Sequence, residues 1–276
     1  MRIRIATMTA VIVAAALNAD AQWVNHPTAG LPRTKYGKPD LTAAAPHDRD
    51  GKPDLSGVWQ AEAASIPELM KLLPGGENGL GEDIPSKYFI NIFADYDRGQ
   101  EPLRTAAAPT GPIGNPRDTP ALQCLPSGLP LAVTLPSPFK IVQMPGLTMM
   151  LIEENSTFRQ IFTDGRRHPS DPTPSWYGSS IGRWEGETFV VETIGLNDRS
   201  VLDAMGHTHS DALHVMERYR RVDAGHMNVQ LTLDDPKTLT RPLMVNLRLV
   251  LRPDTDLIEY YCTENERDRQ RILAGQ

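Results

Sequence analysis

The chain has 276 residues, with 28 Lys and Arg against 34 Asp and Glu, and 40% of it is apolar. That is enough for one β-rich domain or two small ones around a sizeable core. A formal charge of −6, with no basic cluster beyond short runs such as Arg218 to Arg221, argues against nucleic acid or anionic lipid as the main partner.

The first residues read as an address. Arg2 and Arg4 form a basic start, Ile5 to Leu17 an apolar run of 13 residues, and Ala19-Asp20-Ala21 a small-residue site. The run is short of the roughly 20 residues a membrane-spanning helix needs, so the order predicts a secretory signal over 1–21, cleaved near Ala21. Cleavage leaves 26 basic against 33 acidic residues, about −7, no membrane span, and a periplasmic or secreted protein. An oxidising compartment lets the two cysteines, Cys124 and Cys262, pair if the fold brings them together; two buried free thiols are the alternative. With 138 residues between the partners, loop-closure entropy puts such a bridge at about 5 kcal/mol before strain.

Residues 22–56 lack helical or strand periodicity and are rich in Pro, Gly, Ala, Asp and Lys, which predicts an extended lead-in. Within it Gly37-Lys38-Pro39-Asp40-Leu41-Thr42 returns as Gly51-Lys52-Pro53-Asp54-Leu55-Ser56. Asp48, Asp50, Gly51 and Asp54 resemble the later part of a calcium loop, but Pro46 occupies its first ligand position, so a turn leading into a strand is expected. Gly57-Val58-Trp59 opens a first strand; Ile66 to Leu73 and Pro85 to Asp97 are the expected helices, the second from the spacing of Tyr88, Phe89, Ile92 and Phe93. The many prolines from Ala106 to Pro138 predict a surface wrap.

Beyond Pro138, short alternating runs separated by turn residues predict nine strands: 139–144, 147–153, 158–163, 179–184, 188–194, 213–222, 227–233, 243–251 and 257–262. In the eighth, Leu243, Val245, Leu247, Leu249 and Leu251 share one side, and Asn246, Arg248 and Arg252 the other. The expected fold is mainly all-β, an antiparallel meander that closes into a barrel so as to leave no exposed edge. One domain would span 57–276, with an irregular, partly helical wrap over 57–138 and core strands over 139–262. The Gly57-x-Trp59 opening is similar to the first strand of lipocalin-like calycins.

The densest polar cluster, Asn197 to Glu217, joins the fifth and sixth of these runs, where a long connection at a barrel mouth is a natural site. His209 or His214 would shuttle a proton there, with Asp198 or Glu217 orienting it. The bland alternative is an ion-pair network closing the barrel end. His207-x-His209-x-Asp211-x-x-His214 resembles the metallo-β-lactamase zinc motif, but Ala212 stands where its last His belongs and the alternating strands and helices of that fold are absent, so no metal and no cofactor is expected. A different zinc set, two nitrogens from His209 and His214 and an oxygen from Glu217, would need a bulge or helical turn, since on a strand His214 and Glu217 face opposite ways. A second constellation holds Arg166, Trp176 and Tyr177, which with Arg199 could stack an aromatic ligand or hold a carboxylate. The sequence therefore predicts a barrel binding a small, partly apolar molecule through its mouth loops. The alternative is a hydrolase, lyase or isomerase using the His/Glu/Asp group. Oligomeric state is not legible.

Four segments, Asp50 to Trp59, Thr163 to Pro169, Tyr177 to Glu187 and His209 to Arg218, resemble the recurrent pattern of a large family of secreted bacterial proteins with no settled activity. The resemblance implies export, one fold over most of the mature chain, and cysteines at the positions of Cys124 and Cys262.

Overall fold

Fold and topology were read from a computed structural model that describes residues 26–73, 84–104, 120 and 123–262; the expected signal over 1–21 lies outside them. Nine strands form one closed barrel in chain order: β1 (Gly57–Ala61), β2 (Phe139–Met144), β3 (Leu147–Ile152), β4 (Thr157–Phe162), β5 (Ser179–Glu185), β6 (Thr188–Ile194), β7 (His214–Arg221), β8 (His226–Asp234) and β9 (Leu243–Leu251). Three short helices, α1 (Ile66–Leu72), α2 (Lys87–Ile90) and α3 (Leu131–Thr134), lie between β1 and β2. The all-β barrel is as expected.

Its topology departs from a pure antiparallel meander. A ring of nine strands cannot reverse direction at every step, because an odd ring must hold at least one parallel pair. That pair is β4–β5, bonded in parallel only at Ile161↔Ser180 and Phe162↔Ile181, while every other neighbour is antiparallel. The chain therefore has to run from the end of β4 back past the barrel wall through residues 163–178.

Two expected elements change. Residues 257–262 form no strand; the segment crosses the β3–β4 turn, with Ile258 N–H donating to Glu153 Oε2 at 3.0 Å and Tyr260 N–H to Ser156 Oγ at 3.2 Å. Closure comes from β1, which pairs with both β2 and β9. The expected helix over Pro85 to Asp97 stops at Ile90, where polar side chains offer the backbone other acceptors. Phe93 N–H donates to Asn91 Oδ1 at 2.9 Å and Ile92 N–H to Asp203 Oδ2 at 2.7 Å.

The barrel is filled by its own side chains. Trp59, Phe139, Met150, Ile161, Val191 and Leu231 are each 2% exposed or less, and β9 alternates as expected, with Leu243, Val245, Leu247, Leu249 and Leu251 buried. Trp59 donates from Nε1 to the Leu55 carbonyl at 2.9 Å, and the Arg221 guanidinium lies 4.9 Å from its ring centre while donating to the Asp54 and Ala224 carbonyls.

The repeated hexapeptide in the lead-in folds into the same turn twice. Thr34 N–H bonds the Lys38 carbonyl and Asp40 N–H the Pro32 carbonyl; fourteen residues on, Asp48 bonds Lys52 and Asp54 bonds Pro46. Gly37 and Gly51 supply the positive φ of each turn, 76° and 72°. The carboxylates serve the backbone: Asp48 Oδ1 accepts from Asp50 and Lys52 N–H, each at 2.9 Å, and Asp54 Oδ1 from Ser56 N–H at 2.8 Å.

Cys124 and Cys262 form a disulfide with Cα atoms 5.3 Å apart. Cys262 N–H also donates to Asn155 Oδ1 at 3.3 Å, and Asn155 Nδ2 to the Leu125 carbonyl at 3.3 Å. The bridge thus pins the wrap and the last described residues to one turn. Changing either cysteine to serine should lower stability by roughly 2–5 kcal/mol, read from urea denaturation without reductant. The untreated protein should not react with maleimide.

Candidate functional site

The β4–β5 seam has the shortest ladder in the barrel. Side chains from four strands tie it from inside. Arg159 of β4 is 2% exposed and reaches across β5 and β6 to Glu217 of β7, which is 0% exposed. Its Nη1 donates to Glu217 Oε1 at 3.1 Å, its Nη2 to Glu217 Oε2 and to Thr193 Oγ1 at 2.7 Å, and its Nε to Ser180 Oγ at 3.1 Å. Tyr219 OH donates to Glu217 Oε1 at 2.6 Å. Burial works against the Arg159 charge, but Glu217 outweighs it and holds the guanidinium above its ordinary pKa. Burial first, then Glu217, pushes the Tyr219 phenol well above 10.

Outside this network the seam opens into a groove of about 510 Å³, walled by Pro126, Phe158, Gln160, Phe162, Trp176 and Tyr177, with Arg159 and Ser180 at its floor. The far wall is bonded to the β6 extension through Ser175: its N–H donates to the Gly195 carbonyl at 3.0 Å and its carbonyl accepts from Asn197 N–H at 2.9 Å. Tyr177 OH and Thr157 Oγ1, 2.9 Å apart, close the upper end, and burial raises the Tyr177 phenol to about 12. Phe158 is 58% exposed.

Of the four residues expected to bind a ligand, two line the groove and two stack on rings that line it. Trp176 and Tyr177 line the wall. Arg199 stacks 5.0 Å over the Trp176 ring and forms no ion pair among the described residues. Arg166 stacks 3.8 Å over Phe162, but its charge is taken by Asp164 at 2.6 Å. A trough of about 590 Å³ beneath α1 and α2 is larger. Its cations are already paired, Arg218 with Glu185 at 2.9 Å and Arg248 with Glu62 at 3.6 Å among them, so the seam groove with its free cation is the better site.

The four expected acid–base residues do not converge. Glu217 faces the barrel interior, half-buried His214 the outside of the same strand, and Asp198 is exposed in the β6–β7 loop. His209 is 4% exposed; its Nε2 lies 2.7 Å from Ser200 Oγ and its Nδ1 2.9 Å from the Ser210 carbonyl. Burial lowers its pKa below 6.5, outweighing the Ser210 carbonyl, Asp235 and Asp198. A second pair, His207 Nδ1 with Asp203 Oδ2 at 2.6 Å, anchors α2's exit, since Asp203 also accepts from Ile92 N–H. Among the described residues no group of three or more His, Cys, Asp or Glu is placed to hold a metal.

The sequence reading missed Arg159, Ser180 and Thr193. The one available signal was Arg159's parity with Ile161 in Thr157 to Phe162, which places it on the core side only if Phe158 and Phe162 face out. No family model, curated protein or solved structure matches the chain.

Two outcomes follow. Glu217→Gln leaves a buried guanidinium without its counter-charge and should cost roughly 3–5 kcal/mol, while the double change Arg159→Met with Glu217→Leu should recover most of that loss; chemical denaturation of the three proteins measures both. For His209 the folded-state pKa lies below the unfolded one, so its contribution is whole above about pH 6.5 and is lost as pH falls through that value. His209→Gln should therefore lose less stability than the parent between pH 7 and pH 5, in thermal melts at each pH.

Proposed function

We propose that the protein is a periplasmic or secreted barrel that binds a small, partly apolar molecule in the β4–β5 groove, with an anionic group of the ligand on Arg199. The observation that carries this reading is an aromatic groove, lined by Phe158, Phe162 and Trp176, with the Arg199 guanidinium, unpaired among the described residues, stacked on the Trp176 ring. Aromatic walls and a few placed polar groups are the usual make-up of small-ligand sites. The disulfide fits an oxidising compartment, and the signal-like start and the likeness to secreted bacterial proteins support export. Among the described residues no helix is long and apolar enough to cross a membrane.

The lipocalin-like likeness is part of the same proposal. A buried Trp59 on β1 under the Arg221 guanidinium supports it; nine strands with a parallel seam and a filled interior set this barrel apart from the eight-stranded up-and-down barrels that hold ligands inside. A hydrolytic reading would rest on the Ser200–His209 pair. Ser200 is 2% exposed, and a Cβ at Gly128 would lie 2.7 Å from its Oγ, so this pair is packed against the wrap and serves to hold the loop.

The test uses anilinonaphthalene sulfonate, an aromatic anion, followed by fluorescence. Trp176→Ala and Arg199→Gln should each weaken binding about tenfold, the equivalent of about 1.4 kcal/mol, with unchanged melting temperature. Equal affinity in all three proteins would place the probe elsewhere and remove the groove as the site.

A further inference from the structure

We infer that the ligand of this groove is a short peptide in extended conformation, bound by adding a strand to the open edge of β4. The inference rests on the groove being the binding site and names the class of molecule it takes.

The argument begins with the ladder. Successive residues of an antiparallel strand alternate between bonding one neighbour and pointing their backbone groups to the other side. Thr163 N–H donates to the Gly146 carbonyl at 2.9 Å, in register with the β3–β4 pairs. Residues 157, 159, 161 and 163 therefore bond toward β3, and Phe158 and Gln160 turn their backbone groups toward β5. Ladder pairing with β5 begins at Ile161↔Ser180, a parallel pair bonded through Gln160 C=O and Phe162 N–H, so the groups left on this edge are Phe158 N–H and C=O and Gln160 N–H. The opposite segment, Ser175 to Gly178, is held by β6, and Gly178 sits so close that a Cβ there would lie 2.5 Å from the Ile194 carbonyl oxygen. Above the two bonded pairs, β4 thus presents a strand edge inside a groove.

An unpaired strand edge is a template for another strand. From Thr157 to Gln160 the edge runs three steps of about 3.3 Å, enough to bond about three peptide residues. Main-chain hydrogen bonds to the edge would supply affinity, and alternate side chains would meet Phe158 and Phe162 on one wall and Trp176 on the other. Arg199, stacked on Trp176 and without an ion pair among the described residues, suits a peptide's C-terminal carboxylate. Phe158 is 58% exposed in the free protein, and strand addition would cover it.

The experiment titrates isotope-labelled, unmodified protein with a pool of hexapeptides that alternate Thr with Val, Leu or Phe and end in a free carboxylate. Parallel titrations use the same pool N-methylated at every second residue, the pool with amidated C-termini, and anilinonaphthalene sulfonate. The expected result is slowing of Phe158 and Gln160 amide exchange by about tenfold or more with the first pool, and at least about tenfold weaker binding of the N-methylated pool, as loss of a backbone hydrogen bond dictates. Amidation should weaken binding in the parent and make no difference in Arg199→Gln. Binding of the sulfonate without any peptide binding, or equal binding of methylated and unmethylated pools, overturns strand addition and leaves the groove reading standing. If neither peptide nor sulfonate shifts groove residues, both fall.

Discussion

The Arg159–Glu217 pair is the interaction on which the rest of this barrel depends. Nine strands in a ring force one parallel junction, and the junction at β4–β5 holds only two bonded pairs. Backbone bonds alone would leave that part of the wall weak. Arg159 lies inside the barrel behind the junction and bonds β5, β6 and β7 in turn through Ser180, Thr193 and Glu217. Burying both charges has a desolvation cost that well-packed apolar residues would avoid, so the pair matters chiefly for position. Its fork of donors sets the spacing of four strands where the ladder cannot.

The groove is the outer side of the same constraint. Where the ladder stops, the segment entering β5 takes its backbone bonds from the β6 extension at Ser175. Arg159 and its partners fill the interior behind the groove, so a ligand meets a closed floor with aromatic walls. The filled interior also means that affinity here cannot come from a deep apolar cavity; it has to come from stacking, edge hydrogen bonds and the Arg199 charge.

Around the mouth, separate segments are drawn to one place. The wrap at Leu125, the β3–β4 turn at Asn155 and the segment ending at Cys262 share a disulfide and two amide hydrogen bonds. Pro126, next to that bridge, belongs to the groove wall. One side of the site is thus held by a disulfide between two loop segments and the other by the Arg159–Glu217 ion pair.

Much of the barrel was legible because its strands bury one face in water-soluble alternation. Leu243 to Leu251 announce their core side, and the extents of β2, β6 and β9 follow directly from apolar periodicity and turn residues. The two-cysteine count and the signal-like start made the bridge an expectation, and the hexapeptide echo marked two turns of the same build. Tertiary structure decided what periodicity cannot carry. Which strand closes the ring, β1 instead of residues 257–262, depends on long-range pairing. Asp203, far along the chain, ends α2 by capturing Ile92 N–H. Strand parity already sends His214 and Glu217 to opposite faces; what places His209 apart from them is its contact with Ser200 Oγ and the Ser210 carbonyl. Arg159 looks like a surface residue between two phenylalanines; it is a core residue only because a partner 58 positions away carries the opposite charge.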